Sequence, residues 1–221
     1  MNAVLKSITF GVLSSASLAW AAPASDQALD LVVSYYTRVL TDEGVTREAN
    51  YKERMLRRPG HVWVARVAPP TAAKKAAHGL NAAVLPRHVR LEGGALVLEY
   101  VDLAAKTVVA VAPTDYANVG FDGSWEAAHS LADPARVARL PLSARASTIA
   151  GAQWHEREKD GVFERVLWDK ARQLALVTES GDQAGRFYRR VQVEVAPAST
   201  ITLPWEQLRG YARREYTDYL D

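Results

Sequence analysis

Five histidines, His61, His78, His88, His129 and His155, are the residues of this chain best suited to metal chemistry. None stands in a His-x-Glu-x-x-His or similar spacing that would put two imidazoles on one helix face. Trp154-His155 lies beside the acidic residues Glu156, Glu158 and Asp160. With His129 and a third histidine it could supply an exported copper or zinc site, since imidazole suits both metals. The plainer reading places these histidines on strand rims and the surface, and neither a metal ligand set nor a cofactor is assigned from the sequence. Glu156, Glu158 and Asp160 are close enough for acid–base work, yet they alternate with Arg157 and Lys159 as a solvated strand edge does. No Gly-x-Ser-x-Gly occurs, and Ser124, after Asp122-Gly123, has the position of a helix cap before WEAAHSLA. Gly93-Gly94 and Gly181 to Gly185 open no helix, so they read as hairpin turns rather than phosphate cradles. No catalytic residue emerges, and an enzyme is the least favoured class.

The aromatic residues offer a different chemistry. Trp63, Trp125, Trp154, Trp168 and Trp205 stand among many tyrosines. On a curled sheet such residues either fill the core or line an apolar groove with a polar atom at its mouth. Leu96, Leu98 and Tyr100 share one face of their strand, and Leu174 and Leu176 share one face of theirs. With Trp63, Trp154, Phe187 and Val191 they are the candidate ligand-contacting set.

These residues need elements to hold them. The stretch from Gln153 to Val195 reads as four short strands: Gln153 to Glu158, Val162 to Trp168, Gln173 to Glu179 and Arg186 to Val195. The turns are Lys159-Asp160-Gly161, Asp169-Lys170-Ala171-Arg172 and Gly181 to Gly185. In the last strand Phe187, Val191, Val193 and Val195 share a face, with Arg189 as the exception. Tyr188, Arg190, Gln192 and Glu194 take the other face. Period-2 alternation predicts antiparallel sheet with one wet and one buried face. Arg87 to Ala112 predicts three more strands around Gly93-Gly94 and Asp102 to Lys106. Val45 to Val67 predicts a hairpin about Arg58-Pro59-Gly60, with a long helix over EANYKERMLRR as the alternative that the Pro-Gly break and Val-Trp-Val disfavour.

Asp26 to Leu40 predicts a helix from Leu29, Val32, Val33, Tyr36, Val39 and Leu40 at helical spacing. Short helices follow Ser124 and Asp133-Pro134. Thr71 to Val84 is Ala-rich and reads as a connection that holds a helix or stays loose. Leu208, Tyr211, Ala212, Tyr216 and Tyr219 predict a terminal helix, weakened at Gly210. The sum is α+β: an unclosed half-barrel of about nine antiparallel strands, curled because a sheet of that size must curl, with an N-terminal helix and short helices on it.

Lys6, the apolar run Ile8 to Leu18 and Ala19-Trp20-Ala21 form a secretory signal over residues 1–22, too short for a membrane span. Residues 23–221 then make one exported domain, periplasmic, with no membrane span of its own. Of the 221 residues, 27 are Lys or Arg and 25 are Asp or Glu, and they intermix. That balance argues against nucleic acid, which needs a basic stripe. There is no Cys, hence no disulfide, thiol nucleophile or lipid-anchor Cys.

Two passages carry a resemblance. LVLEYVDLAAKTVVAV and RVLWDKARQLALVTESGDQAGRFYRRVQVEV have the strand and turn cadence of the periplasmic half-barrel family. That family includes the carrier of outer-membrane lipoproteins and the envelope-stress regulator that restrains an anti-sigma factor. The resemblance covers about a third of the chain and implies an apolar groove for acyl chains under a helical lid. It transfers no individual residue. The expected function is a non-catalytic periplasmic binding protein whose partner is an apolar ligand or a lipoprotein. The alternatives are the copper or zinc accessory protein above and a domain that binds an envelope protein.

Overall fold

A computed structural model describes residues 27–67, 82–199 and 202–219. The signal segment and the Ala-rich stretch before Ala82 lie outside the described residues. The strands are β1 Leu29–Leu40, β2 Thr46–Arg58, β3 His61–Arg66, β4 Arg87–Glu92, β5 Ala95–Asp102 and β6 Thr107–Val111, followed by β7 Ala152–Lys159, β8 Val162–Asp169, β9 Leu174–Asp182, β10 Phe187–Pro197 and β11 Ala212–Glu215. They form one 11-stranded sheet in the order β11-β6-β5-β4-β3-β2-β1-β10-β9-β8-β7. β11 and β7 are its two ends and do not pair with each other, so the sheet is unclosed. All neighbours are antiparallel except β11 on β6.

The chain builds two meanders, β1 to β6 and β7 to β10, and β1 joins them by pairing with both β2 and β10. The expected hairpins stand where the turn residues put them. Gly60 has φ 69°, and Gly93 and Gly94 have φ 56° and 85°, the left-handed backbone that a tight hairpin requires.

The N-terminal helix is corrected to strand β1. Its apolar residues fit both periods. Leu29, Leu31, Val33 and Tyr35 fall two apart and turn toward the main core. Asp30 turns the other way, where it accepts hydrogen bonds from Arg58 Nη2 at 2.8 Å and Ser199 Oγ at 2.6 Å. Six β-branched or aromatic residues between Val32 and Val39 favour the strand. Long partners on both edges satisfy its backbone groups.

One face of the sheet, here the inner face, carries the segment between the meanders. Two 3-10 turns, Pro113–Asp115 and Ala117–Val119, lead into α1 Trp125–Ser130 and α2 Pro134–Ala138. The caps are those expected: the Ser124 hydroxyl accepts from Ala127 N–H at 2.9 Å, and the Asp133 carboxylate accepts from Ala135 N–H at 2.8 Å. Tyr116 and Phe121 enter the core, and the Tyr116 hydroxyl donates to the Leu96 carbonyl at 3.2 Å.

Arg57 links this segment to the turn between β8 and β9 and to a residue ahead of β1. Its side chain is fully enclosed. It donates to the carbonyl oxygens of Arg172 at 2.7 Å, Gln27 at 3.3 Å, Gln173 at 3.4 Å and His129 at 3.5 Å. Burial lowers its pKa to about 10, and Asp169 pulls in the opposite direction.

The terminal helix is also corrected. Pro204–Leu208 is a 3-10 turn, Gly210 takes φ 85°, and Tyr216–Tyr219 is a second 3-10 turn after β11. The left-handed glycine ends any helix, and the open edge of β6 offers hydrogen bonds that β11 takes. The tail therefore straddles that edge. Trp205, Leu208 and Tyr211 cover Leu56, Trp63, Val101 and Val108 on the outer face. Tyr216 and Tyr219 pack against the inner core.

Candidate functional site

Most of the candidate ligand-contacting set is buried in one cluster, though the ladder from Trp154 through Leu167 and Val177 to Gln192 puts Trp154 on the sheet face opposite Val191. Leu98, Tyr100, Trp154, Leu174, Leu176 and Val191 belong to one buried cluster, with Leu96 packed against it. Leu98 and Leu174 are wholly enclosed, so these side chains are chiefly floor and core. Trp63 is placed elsewhere. Val62 and Val64 of β3 point inward, so Trp63 points outward into the cluster under Trp205. In HVWVAR both faces are apolar, which hides this from the sequence. Phe187 is half-buried on β10 opposite Val39, outside these clusters.

A groove of about 870 Å³ lies between the β8 to β10 surface and the α1–α2 segment. Its apolar lining includes Tyr35, Leu131, Val137, Phe163, Val166 and Val191, and its rim is charged. On that rim the Glu164 carboxylate accepts from Arg136 at 2.8 Å and Arg157 at 3.4 Å. Of the candidate set, Val191 alone lines this groove. The missed lining residues carry one weak signal, the alternation Val162, Glu164, Val166 along β8. Of the carboxylates weighed for acid–base work, Glu156 is engaged with Ser143 and Arg165, and Glu158 with Gln183.

A smaller pocket of about 380 Å³ opens farther along the inner face. Tyr51 and Glu53 of β2, Arg66 of β3, Arg87 of β4 and Tyr100 of β5 line it, and Asn118 and Val119 lie over it. Tyr51 stacks on Tyr35 at 4.6 Å between ring centres. Tyr35 lines the groove and Tyr51 the pocket, so this stacked pair stands at the step between the two cavities. Burial, and then Glu53 beside it, push the Tyr35 hydroxyl well above its usual pKa.

The histidines do not assemble as the metal reading requires. His129 lies buried on α1 with Trp125 at 5.3 Å, and His155 on β7 directs Nδ1 to the Leu140 carbonyl at 3.2 Å. Among the described residues no group of three or more His, Cys, Asp or Glu is arranged to hold a metal ion. His78 lies outside them. The pair brought together is His61 and His88, with Nδ1 of the first 3.0 Å from Nε2 of the second. The Trp205 ring stacks on both, at 5.0 and 5.1 Å. Beside them Glu99 is nearly enclosed, with His88 at 3.7 Å, Arg90 at 3.1 Å and Arg213 of the tail at 2.7 Å. Burial alone would raise the Glu99 carboxyl, but these partners outweigh it and bring its pKa down to about 2.

No family model matches the chain, and no curated protein matches it. Solved structures do. PNGF-II is 9% identical with a TM-score of 0.40, over 87% of this chain and 32% of its own, so this chain spans about a third of its length. A putative outer membrane lipoprotein-sorting protein domain from Vibrio parahaemolyticus is 12% identical with a TM-score of 0.35, over 84% of this chain and 92% of that one. A chain of the Pseudomonas aeruginosa MucA/MucB complex is 14% identical with a TM-score of 0.36, over 85% of this chain and 57% of that one. The lipoprotein-sorting domain and MucB are of the kinds that the strand-and-turn cadence resembles. Nothing about ligand or partner follows from similarities of this size.

Proposed function

We propose that this chain is an exported, non-catalytic binding protein that holds a lipid, an acylated protein or another apolar ligand on the inner face of its half-barrel. The observation that carries the reading is the groove of about 870 Å³ between β8–β10 and α1–α2. Its volume falls in the range of small-molecule sites. Its floor is apolar, and its ion pairs stand at the rim, where a chain can enter without burying a charge. Glu164 is held between two arginines, an arrangement that shapes a mouth rather than transfers a proton. The periplasmic location rests on the signal segment in residues 1–22.

Uptake of an environment-sensitive apolar dye by the mature protein tests the reading. Saturable uptake that falls at least tenfold in Val191→Trp, where indole fills the groove, supports it. Absence of uptake by the folded wild type overturns it.

A further inference from the structure

We propose that the pocket between Arg66 and Arg87 is an anion subsite, which takes the carboxylate or phosphate end of an amphipathic ligand. This deepens the reading above and rests on it for the ligand's apolar part.

The two arginines come from adjacent strands, on the same face. Arg87 pairs across the ladder with Val64, and Arg66 follows two residues along β3. Among the described residues neither makes a salt bridge, and residues 68–81 contain no Asp or Glu. The Nε of each is buried with no hydrogen-bond partner. A buried donor left unpaired is a standing cost, which shows that the protein's own groups do not fully satisfy these two cations. Each guanidinium lies over an aromatic ring. Arg66 lies 3.7 Å from the Tyr51 ring centre, and Arg87 lies 6.0 Å from that of Phe121. A guanidinium stacked by its face keeps its N–H edge for a planar or tetrahedral oxyanion. The carboxylate of the pocket, Glu53, stands beside the Tyr35 hydroxyl. Two cations therefore face one carboxylate, leaving a positive balance for an acidic group.

The position suits a head group. The Tyr35–Tyr51 stack separates the pocket from the larger groove. A ligand with its chain in the groove and its head past that step would meet both arginines.

The test uses the full mature protein and three probes below any micellar concentration: dodecyl phosphate, dodecanol and inorganic phosphate, each followed by titration calorimetry. Dodecyl phosphate should bind about tenfold tighter than dodecanol, the effect of one charge-assisted pair. Arg66→Gln and Arg87→Gln should abolish that preference and leave dodecanol affinity unchanged, which also shows that the variants fold. Arg87→Lys should keep part of the preference, having the charge without the fork. Inorganic phosphate bound when neither long-chain probe binds would support the subsite as one for a free anion and overturn the carrier reading. Equal affinity for the two dodecyl probes, or a preference that survives both substitutions, overturns the subsite and spares the groove. No binding by any probe overturns both.

Discussion

The two inner-face cavities handle arginine in opposite ways. In the groove, Arg136 and Arg157 converge on Glu164 at the rim, and each charge is answered by the protein itself. In the smaller pocket, Arg66 and Arg87 are stacked on rings, their Nε atoms lack partners, and no salt bridge reaches them among the described residues. The first arrangement is complete without a ligand. The second leaves a buried donor on each arginine unpaired. A mouth that need not change on binding and a pocket that gains on binding are what a holder of amphipathic molecules requires.

The largest effect should come from the main core on which both cavities rest. Leu98→Ala removes a wholly enclosed side chain from the main core. It should lower unfolding free energy by about 3 kcal/mol in a urea titration. If it lowers dye uptake and anion preference alike, both cavities depend on one core. Loss of only one would break them into independent sites.

The next effect separates the two arginine environments. Arg66→Gln should cost the unliganded protein about 0.5 kcal/mol, the contact with the Tyr51 ring, since it removes no salt bridge and relieves a buried donor without a partner. Arg136→Gln removes one exposed partner of Glu164. It should cost up to about 1 kcal/mol and be insensitive above 0.5 M salt, where surface pairs are screened. A cost at Arg66 that exceeds the cost at Arg136 would contradict the contrast.

The outer face adds a pH-dependent comparison. Burial, with His88 and Arg90 nearby, lowers the His61 pKa from its usual 6.5. A histidine held neutral in the fold takes up its proton more readily when unfolded, so stability is full above 6.5 and falls as pH drops below it. Glu99 acts in the same direction: its contribution is present above the usual 4.5 and is lost as pH falls toward about 2. The tail sits on this cluster through Trp205 and Arg213. Acidification from pH 7 to pH 5 should therefore loosen the tail before the inner face. Hydrogen exchange at β11 should accelerate relative to β10. Equal acceleration of the two strands would show that the tail is not the pH-sensitive part.

Much of this was legible residue by residue. Gly93-Gly94, Arg58-Pro59-Gly60 and the alternation of Leu96, Leu98 and Tyr100 announced strands and turns, because hairpin chemistry is local. Ser124 and Asp133-Pro134 announced the caps for the same reason. β1 was misread because Leu29, Val33 and Tyr36 satisfy a helical period while Leu29, Leu31, Val33 and Tyr35 satisfy a strand. Pairing with β10, far along the chain, decides between them. The tail was misread because Tyr211, Ala212 and Tyr216 suit a helix until the open edge of β6 competes for their backbone. Trp63 was assigned to the groove and lies on the outer face, since both faces of its strand are apolar and alternation does not choose between them. The Arg66–Arg87 juxtaposition was invisible, being a consequence of β3–β4 register across a long connection.

The most direct measurement is native mass spectrometry of the mature protein taken from a periplasmic extract, repeated after denaturation. A bound mass of several hundred daltons, released on unfolding and carrying both an apolar chain and an acidic group, is the predicted result. A bare polypeptide that also excludes apolar dye would contradict the account, leaving the inner face as ordinary core and an envelope-protein partner as the reading to pursue.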